Sequence, residues 1–270
     1  MPHWRVLPSA LPVTDPCQLL ALQAADQALD GLNGVVDTWD RNRVGVMMAF
    51  LPYQGRKFLA DARVNSERYW DVLRQRLENA GVDDVDAVVD HARQRFVQDL
   101  PELTEDSLTG WQGGLCAGRI SRAHGFGGPH FVTDSACAST HAALHASVQA
   151  LRHRTCDVVL AGGVWADMMP EFFVAACRFN ALSATGSTPF DIDADGFVPG
   201  EGAGVFVLRR LSDALAHDEP VLAVLRSVAG SSDGRGSSVL APMSERMMTS
   251  HSFRPSMSKA SLSTATCAGQ

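Results

Sequence analysis

Two kinds of hydrophobic pattern alternate along the first hundred residues. Between Asp15 and Leu29, apolar residues recur at the spacing of one helix face and glycines follow, which predicts an amphipathic helix. Residues 43–50, Arg-Val-Gly-Val-Met-Met-Ala-Phe, form an almost entirely apolar run, typical of a strand covered on both faces. Residues 60–100 are charged and helical in character, which predicts a helical insert on the surface. Its expected apolar face consists of Tyr69, Trp70, Val72, Leu73 and Leu77.

Beyond residue 100 the chain alternates strand-like and helix-like segments. Glycines at tight turns surround a short predicted helix near 117–123. The following predicted elements are a strand at 130–134, an alanine-rich helix to about Leu151, a buried strand at 157–163, a strand at 205–208, a helix at 211–217 and a strand at 221–225. This order of strands and helices indicates a layered α/β domain.

The last segment has a different character. From about Ser244 to Gln270 the chain is rich in Ser, Thr and Met and shows no helical or strand period. Such segments bury too little apolar surface to fold. We therefore expect one domain at residues 1–243 and a disordered or aberrant tail at residues 244–270.

Composition and charge exclude several classes of protein. The 270 residues are 46% hydrophobic and 20% charged, as in ordinary globular domains, and the net charge of −7 disfavours nucleic acid as a partner. The apolar stretches are too short to span a membrane, and the first residues lack a secretory signal, so we expect a cytoplasmic protein. Six cysteines without a CxxC pair argue against zinc knuckles and redox dithiols.

One cysteine stands where catalytic nucleophiles are often found. A predicted strand ends in Asp134-Ser-Ala-Cys-Ala-Ser-Thr and a helix follows directly, so Cys137 should lie at a sharp turn beside a helix N-terminus. The positive end of a helix favours the thiolate form of a cysteine. Small neighbours leave room for an acyl chain, and the backbone N–H of Cys137 can donate to an oxyanion. The alternative is a buried structural cysteine.

The segment from Asp134 to Thr140 resembles the active-site signature of β-ketoacyl synthases. Further blocks agree with this family in order and spacing, and several independent blocks are far more specific than one. They are Asp15-Pro-Cys-Gln-Leu-Leu, Ala117-Gly-Arg-Ile-Ser, Asp157-Val-Val-Leu-Ala-Gly-Gly-Val, Pro189-Phe-Asp, Asp195-Gly-Phe-Val-Pro-Gly-Glu-Gly-Ala-Gly and Ser231-Ser-Asp-Gly-Arg-Gly. The similarity covers roughly residues 12–243 and looks nearest to the ketosynthase domains of modular polyketide and polyunsaturated fatty acid synthases.

The resemblance implies a thiolase-like layered α/β fold, here mainly its N-terminal half, and a decarboxylative Claisen condensation. An acyl group moves from the phosphopantetheine thiol of an acyl carrier protein onto the cysteine, here Cys137. A malonyl unit on the carrier protein is then decarboxylated and attacks that acyl group. We expect no cofactor and no metal. Family members pair through the strand that leads into the nucleophile, here Phe131 to Asp134, which implies a homodimer or pairing with another synthase chain.

The two histidines that complete the family's chemistry stand in blocks without a counterpart here. His251 lies in Ser-His-Ser-Phe, which matches neither block. The family's first strand also lacks a counterpart, and the similarity stops near Pro242. We therefore expect an N-terminal ketosynthase portion, from a truncated or frame-shifted reading frame, that is incomplete as a condensing enzyme alone. A non-catalytic remnant or subunit that pairs with another synthase chain is the alternative, and retention of Cys137 favours the enzyme.

Two groups of residues suggest metal binding but fit it incompletely. Asp191, Asp193 and Asp195 match the first half of an EF-hand loop, but the twelfth position is Gly202, so a turn whose carboxylates cap N–H groups is favoured. His141 and His145, four residues apart on a predicted helix, have the spacing of a two-histidine site without an obvious third ligand. His141 as a base for Cys137 is a further, weaker alternative.

A glycine-rich segment fails the test for dinucleotide binding. Gly200-Glu-Gly-Ala-Gly precedes a predicted strand, whereas the dinucleotide fingerprint follows one. We expect Glu201 to be a structural carboxylate at a tight turn.

Overall fold

A four-stranded sheet with helices on both faces forms the framework of the computed structural model. The structure describes residues 4–51, 55–166, 168–189, 191–230 and 232. Within these ranges the strands are β1 (Val44–Phe50), β2 (His130–Thr133), β3 (Val158–Trp165) and β4 (Gly202–Arg209). The helices are α1 (Pro16–Asp30), α2 (Gly55–Asn65), α3 (Glu67–Asn79), α4 (Val85–Val97), α5 (Ser107–Trp111), α6 (Leu115–His124), α7 (Ser139–Arg152), α8 (Pro170–Arg178) and α9 (Leu211–Ala216). Short 3₁₀ helices lie at Leu11–Val13, Val35–Thr38 and Arg41–Arg43.

The sheet order is β2-β1-β3-β4. β2 and β3 both run parallel to β1, so their carboxyl ends meet at one edge of the sheet. β4 pairs antiparallel with β3, and Gly202 lies opposite Trp165 in the register. All seven residues of β1 are buried, which confirms the prediction of a strand covered on both faces. The sheet therefore brings the end of β2, where the Cys137 segment begins, close to the ends of β1 and β3.

Helix α1 covers one face of the sheet for reasons visible in its sequence. Asp15 accepts a hydrogen bond from the Cys17 N–H, and Pro16 occupies the first helical turn, where its missing N–H costs nothing. Leu22 and Leu29 are buried, as the helical spacing predicts. Together with α6 on the same face, α1 encloses the larger apolar core, which contains Val46, Met48 and Leu160.

Helix α7 covers the other face. Alternation along β1 and β3 directs Met47, Val159 and Ala161 to this side, where they pack with Leu151 and Cys156. The α7 face therefore carries a second, smaller core. Because α7 begins directly after the Cys137 turn, this core anchors the helix that the turn leads into.

The helical insert is present as α2, α3 and α4, but its apolar face is narrower than expected. Trp70, Leu73 and Leu77 are partly buried, whereas Tyr69 and Val72 are exposed by 68% and 56%. Residues three and four apart share one side of a helix, and positions 69 and 72 fall outside that stripe. Trp70 packs edge to face on Phe96 of α4, with ring centroids 5.5 Å apart.

The predicted strand at residues 221–225 is wrong. The structure has no strand in this segment, and Leu222 is 97% exposed. A β-branched apolar run gains from a strand conformation only when a neighbouring strand pairs with it and a packed face covers it. Among the described residues the sheet ends at β4, so this run has no partner.

An ion-pair cluster ties the amino end of β3 to its surroundings. Asp157 accepts hydrogen bonds from Arg43, which precedes β1, and from Arg210, which precedes α9. Arg210 also donates to the carbonyl oxygens of Leu151 and Cys156, at 2.9 and 2.8 Å. These bonds connect the starts of β1 and β3 to the end of α7, at the end of the sheet away from Cys137.

These elements all belong to one compact unit, Met1–Val228, and a second unit comprises Ala229–Gln270. Of the second unit the structure describes residues 229, 230 and 232, which have no regular secondary structure. The predicted tail at 244–270, His251 and most of the block that starts at Ser231 lie outside the described residues. No helix in the described part of the chain combines the length and apolar character needed to cross a bilayer.

Candidate active site

Cys137 lies in a tight turn between the end of β2 and the start of α7. The preceding residue, Ala136, has a φ of 48°, in the left-handed region that is uncommon for a residue with a side chain. The N–H of Ala138 donates to the carbonyl oxygen of Ser135, at 3.1 Å, and closes the turn. Unusual backbone of this kind persists only where the surroundings enforce it, and it is frequent at functional sites.

Three polar side chains enforce this turn. Ser139, the first residue of α7, donates through its hydroxyl to the carbonyl oxygen of Ala136 and accepts from the Ser135 N–H, at 2.6 and 2.8 Å. Asp134 accepts from the Ala136 N–H at 3.0 Å, and Thr133 donates to the carbonyl oxygen of Ser139 at 3.0 Å. The turn is therefore built before any substrate arrives.

The sequence predictions assign Asp134 and Ser139 no role in building this turn. A signal was available, because Asp and Ser side chains often bond to backbone groups two or three residues away and so build turns.

The Cys137 thiol is exposed, so the alternative of a buried structural cysteine is wrong. Cys137 lines a cavity of about 390 Å³ at the carboxyl ends of β1 and β3, on the α7 face of the sheet. The lining is predominantly apolar. It consists of Ala49, Phe50, Leu51, Ala136, Cys137, Ser139, Thr140, Gly163, Val164, Trp165, Gly202, Ala203 and Gly204. The structure therefore combines an accessible thiol with a small apolar space, which suits an acyl group.

Close packing between α7 and β3 shapes the inner end of this cavity. A Cβ atom on Gly163 would lie 2.4 Å from the Thr140 hydroxyl oxygen and 3.2 Å from the Ala49 side chain. Only glycine leaves room for Thr140 at this point, because both neighbours are fixed by the sheet and the helix. The first turn of α7 thereby comes into direct contact with the end of β3, one turn after Cys137.

The other candidate residues do not line this cavity. His141 and His145 are both exposed on α7, and His145 contacts the Gln149 amide at 3.2 Å. Asp191 accepts from the Asp193 N–H at 2.9 Å, as the interpretation of this segment as a capped turn predicts. Among the described residues no three His, Cys, Asp or Glu side chains form a group suited to a metal ion.

Two acidic side chains near β4 serve local structure. Glu201 accepts from the Met168 N–H at 2.7 Å and so links the start of β4 to the segment after β3. Hydrogen bonds from Ser183, and more weakly from Thr185, lower the pKa of Asp195. These contacts agree with structural roles for both carboxylates.

Comparison with known proteins identifies the family. Residues 3–214 match the family model described as "Beta-ketoacyl synthase, N-terminal domain". The chain therefore belongs to the β-ketoacyl synthase family, which confirms the resemblance in its sequence. The described fold is part of the thiolase-like α/β fold of ketosynthases.

Curated relatives point to polyketide synthases within that family. The chain is 34% identical over 238 residues to a component of the phenolphthiocerol/phthiocerol polyketide synthase of Mycobacterium tuberculosis, which covers 88% of the chain and 11% of that protein. It is 43% identical over 143 residues to the pikromycin polyketide synthase component PikAIII of Streptomyces venezuelae, covering 53% of the chain and 9% of that protein. The chain thus spans about a tenth of the length of these relatives.

Solved structures show the same fold. The ketosynthase from module 6 of the bacillaene synthase from Bacillus subtilis 168 superposes with a TM-score of 0.61 at 24% identity, over 88% of this chain and 34% of that one. The oxazolomycin ketosynthase domain OzmH KS7 of Streptomyces albus JA3453 gives a TM-score of 0.58 at 23% identity, over 83% of this chain and 33% of that one.

Proposed function

We propose that this chain is the nucleophile-bearing part of a polyketide-type ketosynthase and that Cys137 accepts the acyl group. The observation that carries the proposal is the exposed Cys137 thiol at a prebuilt strand-to-helix turn, facing an apolar cavity. Membership of the β-ketoacyl synthase family supports it, because the matched residues 3–214 include the whole turn.

The first half-reaction is a transfer between two thiols. The Cys137 thiol loses its proton to solvent, and the sulfur attacks the carbonyl carbon of an acyl thioester. A new carbon–sulfur bond forms to Cys137, the bond to the donor sulfur breaks, and the departing thiolate takes up a proton. The backbone N–H of Cys137 is proposed to stabilise the negative oxygen of the tetrahedral intermediate.

The donor and the second half-reaction follow from the family. The proposed donor is an acyl group on the phosphopantetheine arm of an acyl carrier protein. In the complete reaction a malonyl thioester loses carbon dioxide, and the resulting carbanion attacks the acyl group on Cys137. A longer β-ketoacyl thioester forms and the Cys137 thiol is regenerated. The assignment as a 3-oxoacyl-[acyl-carrier-protein] synthase-like enzyme and its location in the cytoplasm are parts of the same proposal.

Intact-mass spectrometry tests the transfer to Cys137. The purified chain is incubated with acetyl N-acetylcysteamine thioester, beside Cys137→Ala and Cys177→Ala. Cys177 is a matched control because its thiol is also exposed but lies on α8, outside the cavity. We expect a mass gain of one acetyl group in the wild type and in Cys177→Ala, and none in Cys137→Ala. Absence of the gain in a chain whose Cys137 still reacts with iodoacetamide would contradict the proposal.

A second proposal concerns assembly. Within the described part of the chain β2 is an edge strand, and Phe131 on it is 38% exposed, so its outer side is open to pairing with another strand. We propose that the chain forms a homodimer, or pairs with another synthase chain, through Phe131 to Asp134. This arrangement also suits the alternative of a non-catalytic partner, which acylation of Cys137 would exclude.

Sedimentation at several protein concentrations tests the assembly. A wild-type chain with the mass of two copies, reduced to one copy by Phe131→Glu, is the expected result. Tyr69→Glu on the exposed insert is the control and should leave the mass unchanged, because Tyr69 is 68% exposed and far along the chain from β2. A chain that stays at the mass of one copy at all concentrations would contradict homodimerisation.

A further inference from the structure

Trp165 forms one wall of the cavity beside Cys137. It is the last residue of β3, and alternation along the strand places its side chain on the α7 face, the face on which Ala161 packs. Its indole is half-buried and lines the same space as the Cys137 thiol. An approaching acyl chain must therefore pass this ring or stop against it.

Two independent contacts hold this wall in place. The indole of Trp165 packs edge to face on Phe172 of α8, with ring centroids 4.7 Å apart and the rings at 81°. The N–H of the next residue, Ala166, donates a hydrogen bond to the buried Cys17 sulfur at 3.2 Å. The Cys17 thiol in turn donates to the Ala166 carbonyl oxygen at 3.3 Å. The ring and the backbone that follows it are therefore both held, which resists displacement of the wall by a bulky group.

The neighbouring strand, β4, contributes glycines and no bulky side chain next to Trp165. Gly202, opposite Trp165 in the register, and Gly204, on the same face of β4, both line the cavity. A Cβ atom on either glycine would meet nothing within 4 Å. Among the described residues of β3 and β4 on this face of the cavity, Trp165 has the large side chain and its neighbours are glycines, so Trp165 limits the width on this side.

We propose that Trp165 determines which acyl groups reach Cys137 by limiting the length of an apolar chain that fits beside the thiol. The inference rests on the proposed function, because it names the substrate class of that same thiol. A cavity of about 390 Å³ lies at the small end of ligand pockets and is apolar, so the favoured groups are short, unbranched and apolar.

The experiment measures the room at Cys137 separately from acyl transfer. Short and long thiol reagents, N-ethylmaleimide and N-octylmaleimide, are compared by the rate of labelling of the peptide that contains Cys137. Acetyl and octanoyl N-acetylcysteamine thioesters are compared in parallel. The first variant, Trp165→Ala, widens the cavity. The second, Gly202→Val, adds a side chain from the neighbouring strand β4 and narrows it.

Trp70→Ala is the matched control. Trp70 is also a partly buried tryptophan in an edge-to-face ring pair, but it lies on α3 of the insert, outside the cavity. A general loss of packing would affect both tryptophan variants, whereas a change in cavity width affects Trp165→Ala alone.

The ratio of long to short reagent rates decides the inference. We expect Trp165→Ala to raise this ratio about 10-fold, since one methylene in an apolar pocket commonly changes rates by that factor or more, and Gly202→Val to lower it. An unchanged ratio in both variants, or the same change in Trp70→Ala, would overturn the role of Trp165. If the maleimide ratio shifts but no protein takes up an acyl group, the proposed acyl transfer fails while the size limit at Cys137 stands.

Discussion

The hydroxyl of Ser139 donates a hydrogen bond to the carbonyl oxygen of Ala136, 2.6 Å away, across the turn that carries Cys137. The same hydroxyl oxygen accepts from the Ser135 N–H at 2.8 Å. One buried side chain thus satisfies two backbone groups and joins the end of β2 to the first turn of α7. The geometry of the turn that carries the thiol therefore depends on this residue.

Ser139→Ala should separate turn geometry from general stability. Loss of both bonds leaves two backbone groups without their partner, and we expect unfolding free energy to fall by about 1–3 kcal/mol. Acyl transfer to Cys137 should slow by roughly 10-fold or more, because small displacements of a reacting group cost large factors in rate. Urea unfolding and the rate of mass gain with an acyl thioester measure the two effects.

Ser147→Ala provides the comparison. Ser147 is buried on the same helix, about two turns beyond Ser139, and donates to the Ala143 carbonyl oxygen at 2.7 Å. It should alter stability without slowing acyl transfer. Equal slowing in both variants would show that Ser139 acts only through stability.

Gly163→Ala should destabilise the fold because the added methyl group would collide with the Thr140 side chain. The added Cβ atom would lie 2.4 Å from the Thr140 hydroxyl oxygen, and we expect a loss of about 1–3 kcal/mol in unfolding free energy from this overpacking. Truncation of Thr140 to Ala should recover part of that loss in the double variant. A double-mutant cycle by urea unfolding measures the coupling.

Gly204→Ala is the control for this position. Gly204 pairs with Gly163 across β3 and β4, but its added Cβ atom meets nothing within 4 Å. The unfolding free energy of Gly204→Ala should stay within about 0.5 kcal/mol of that of the wild type, as for substitutions away from packed sites. A loss equal to that of Gly163→Ala would contradict the explanation by contact with Thr140.

The free cysteines of the described residues should react in two groups. Burial raises the pKa of Cys17 and Cys156 and raises that of Cys116 to about 12, so these thiols are both hidden and protonated near neutral pH. Cys137 and Cys177 are exposed. Peptide mapping after brief treatment with iodoacetamide should find label on the exposed pair in the native protein and on the buried three as well in urea. Early labelling of Cys116 in the native chain would contradict the packing described for α6.

Asp157 should make stability depend on pH in acid. Hydrogen bonds from Arg43, and from Arg210, lower its pKa to about 2 from an ordinary value of 3.8. Because the folded-state pKa is the lower one, the carboxylate contributes stability that is fully present above the unfolded value and is lost as pH falls towards 2. The stability difference between the wild type and Asp157→Asn should therefore be constant above about pH 5 and shrink between about pH 4 and 2.

Urea midpoints measured across this pH range check the prediction. Asp37→Asn is the control, because it removes an exposed ion pair with Arg41 that is expected to contribute little at any pH. A difference for Asp157→Asn that persists unchanged at pH 2 would contradict the assigned pKa.

The elements that sequence patterns predicted well are those with local causes. Residues 44–50 form a strand because an apolar run of that length must be covered on both faces, and Asp15 starts α1 through a bond to a residue two positions away. The Cys137 turn was likewise foreseeable, because a strand, small residues and a helix follow one another without a gap. Each of these predictions needed only neighbours in the chain.

The features that sequence patterns missed depend on distant partners. Cys17 contacts Ala166 across 149 positions, and Thr140 meets Gly163 only because α7 packs on β3. The strand predicted at 221–225 failed for the same reason, since its apolar pattern was suitable but pairing is decided elsewhere in the chain. Trp165 therefore carried no signal of its place beside the thiol until the sheet register was known.

The parallel pairing of β1 with β3 also determines how the chain finds its fold. Val44 pairs with Val158, so the sheet centre forms only after a loop of more than 100 residues closes. Loop-closure entropy grows slowly with length, by about 0.6 kcal/mol for each doubling, so the α2–α4 insert adds little to this cost. Pairings between such distant segments nevertheless make folding slow. Shortening the insert should leave the free energy of unfolding almost unchanged. The refolding time is governed instead by the step in which β3 docks on β1.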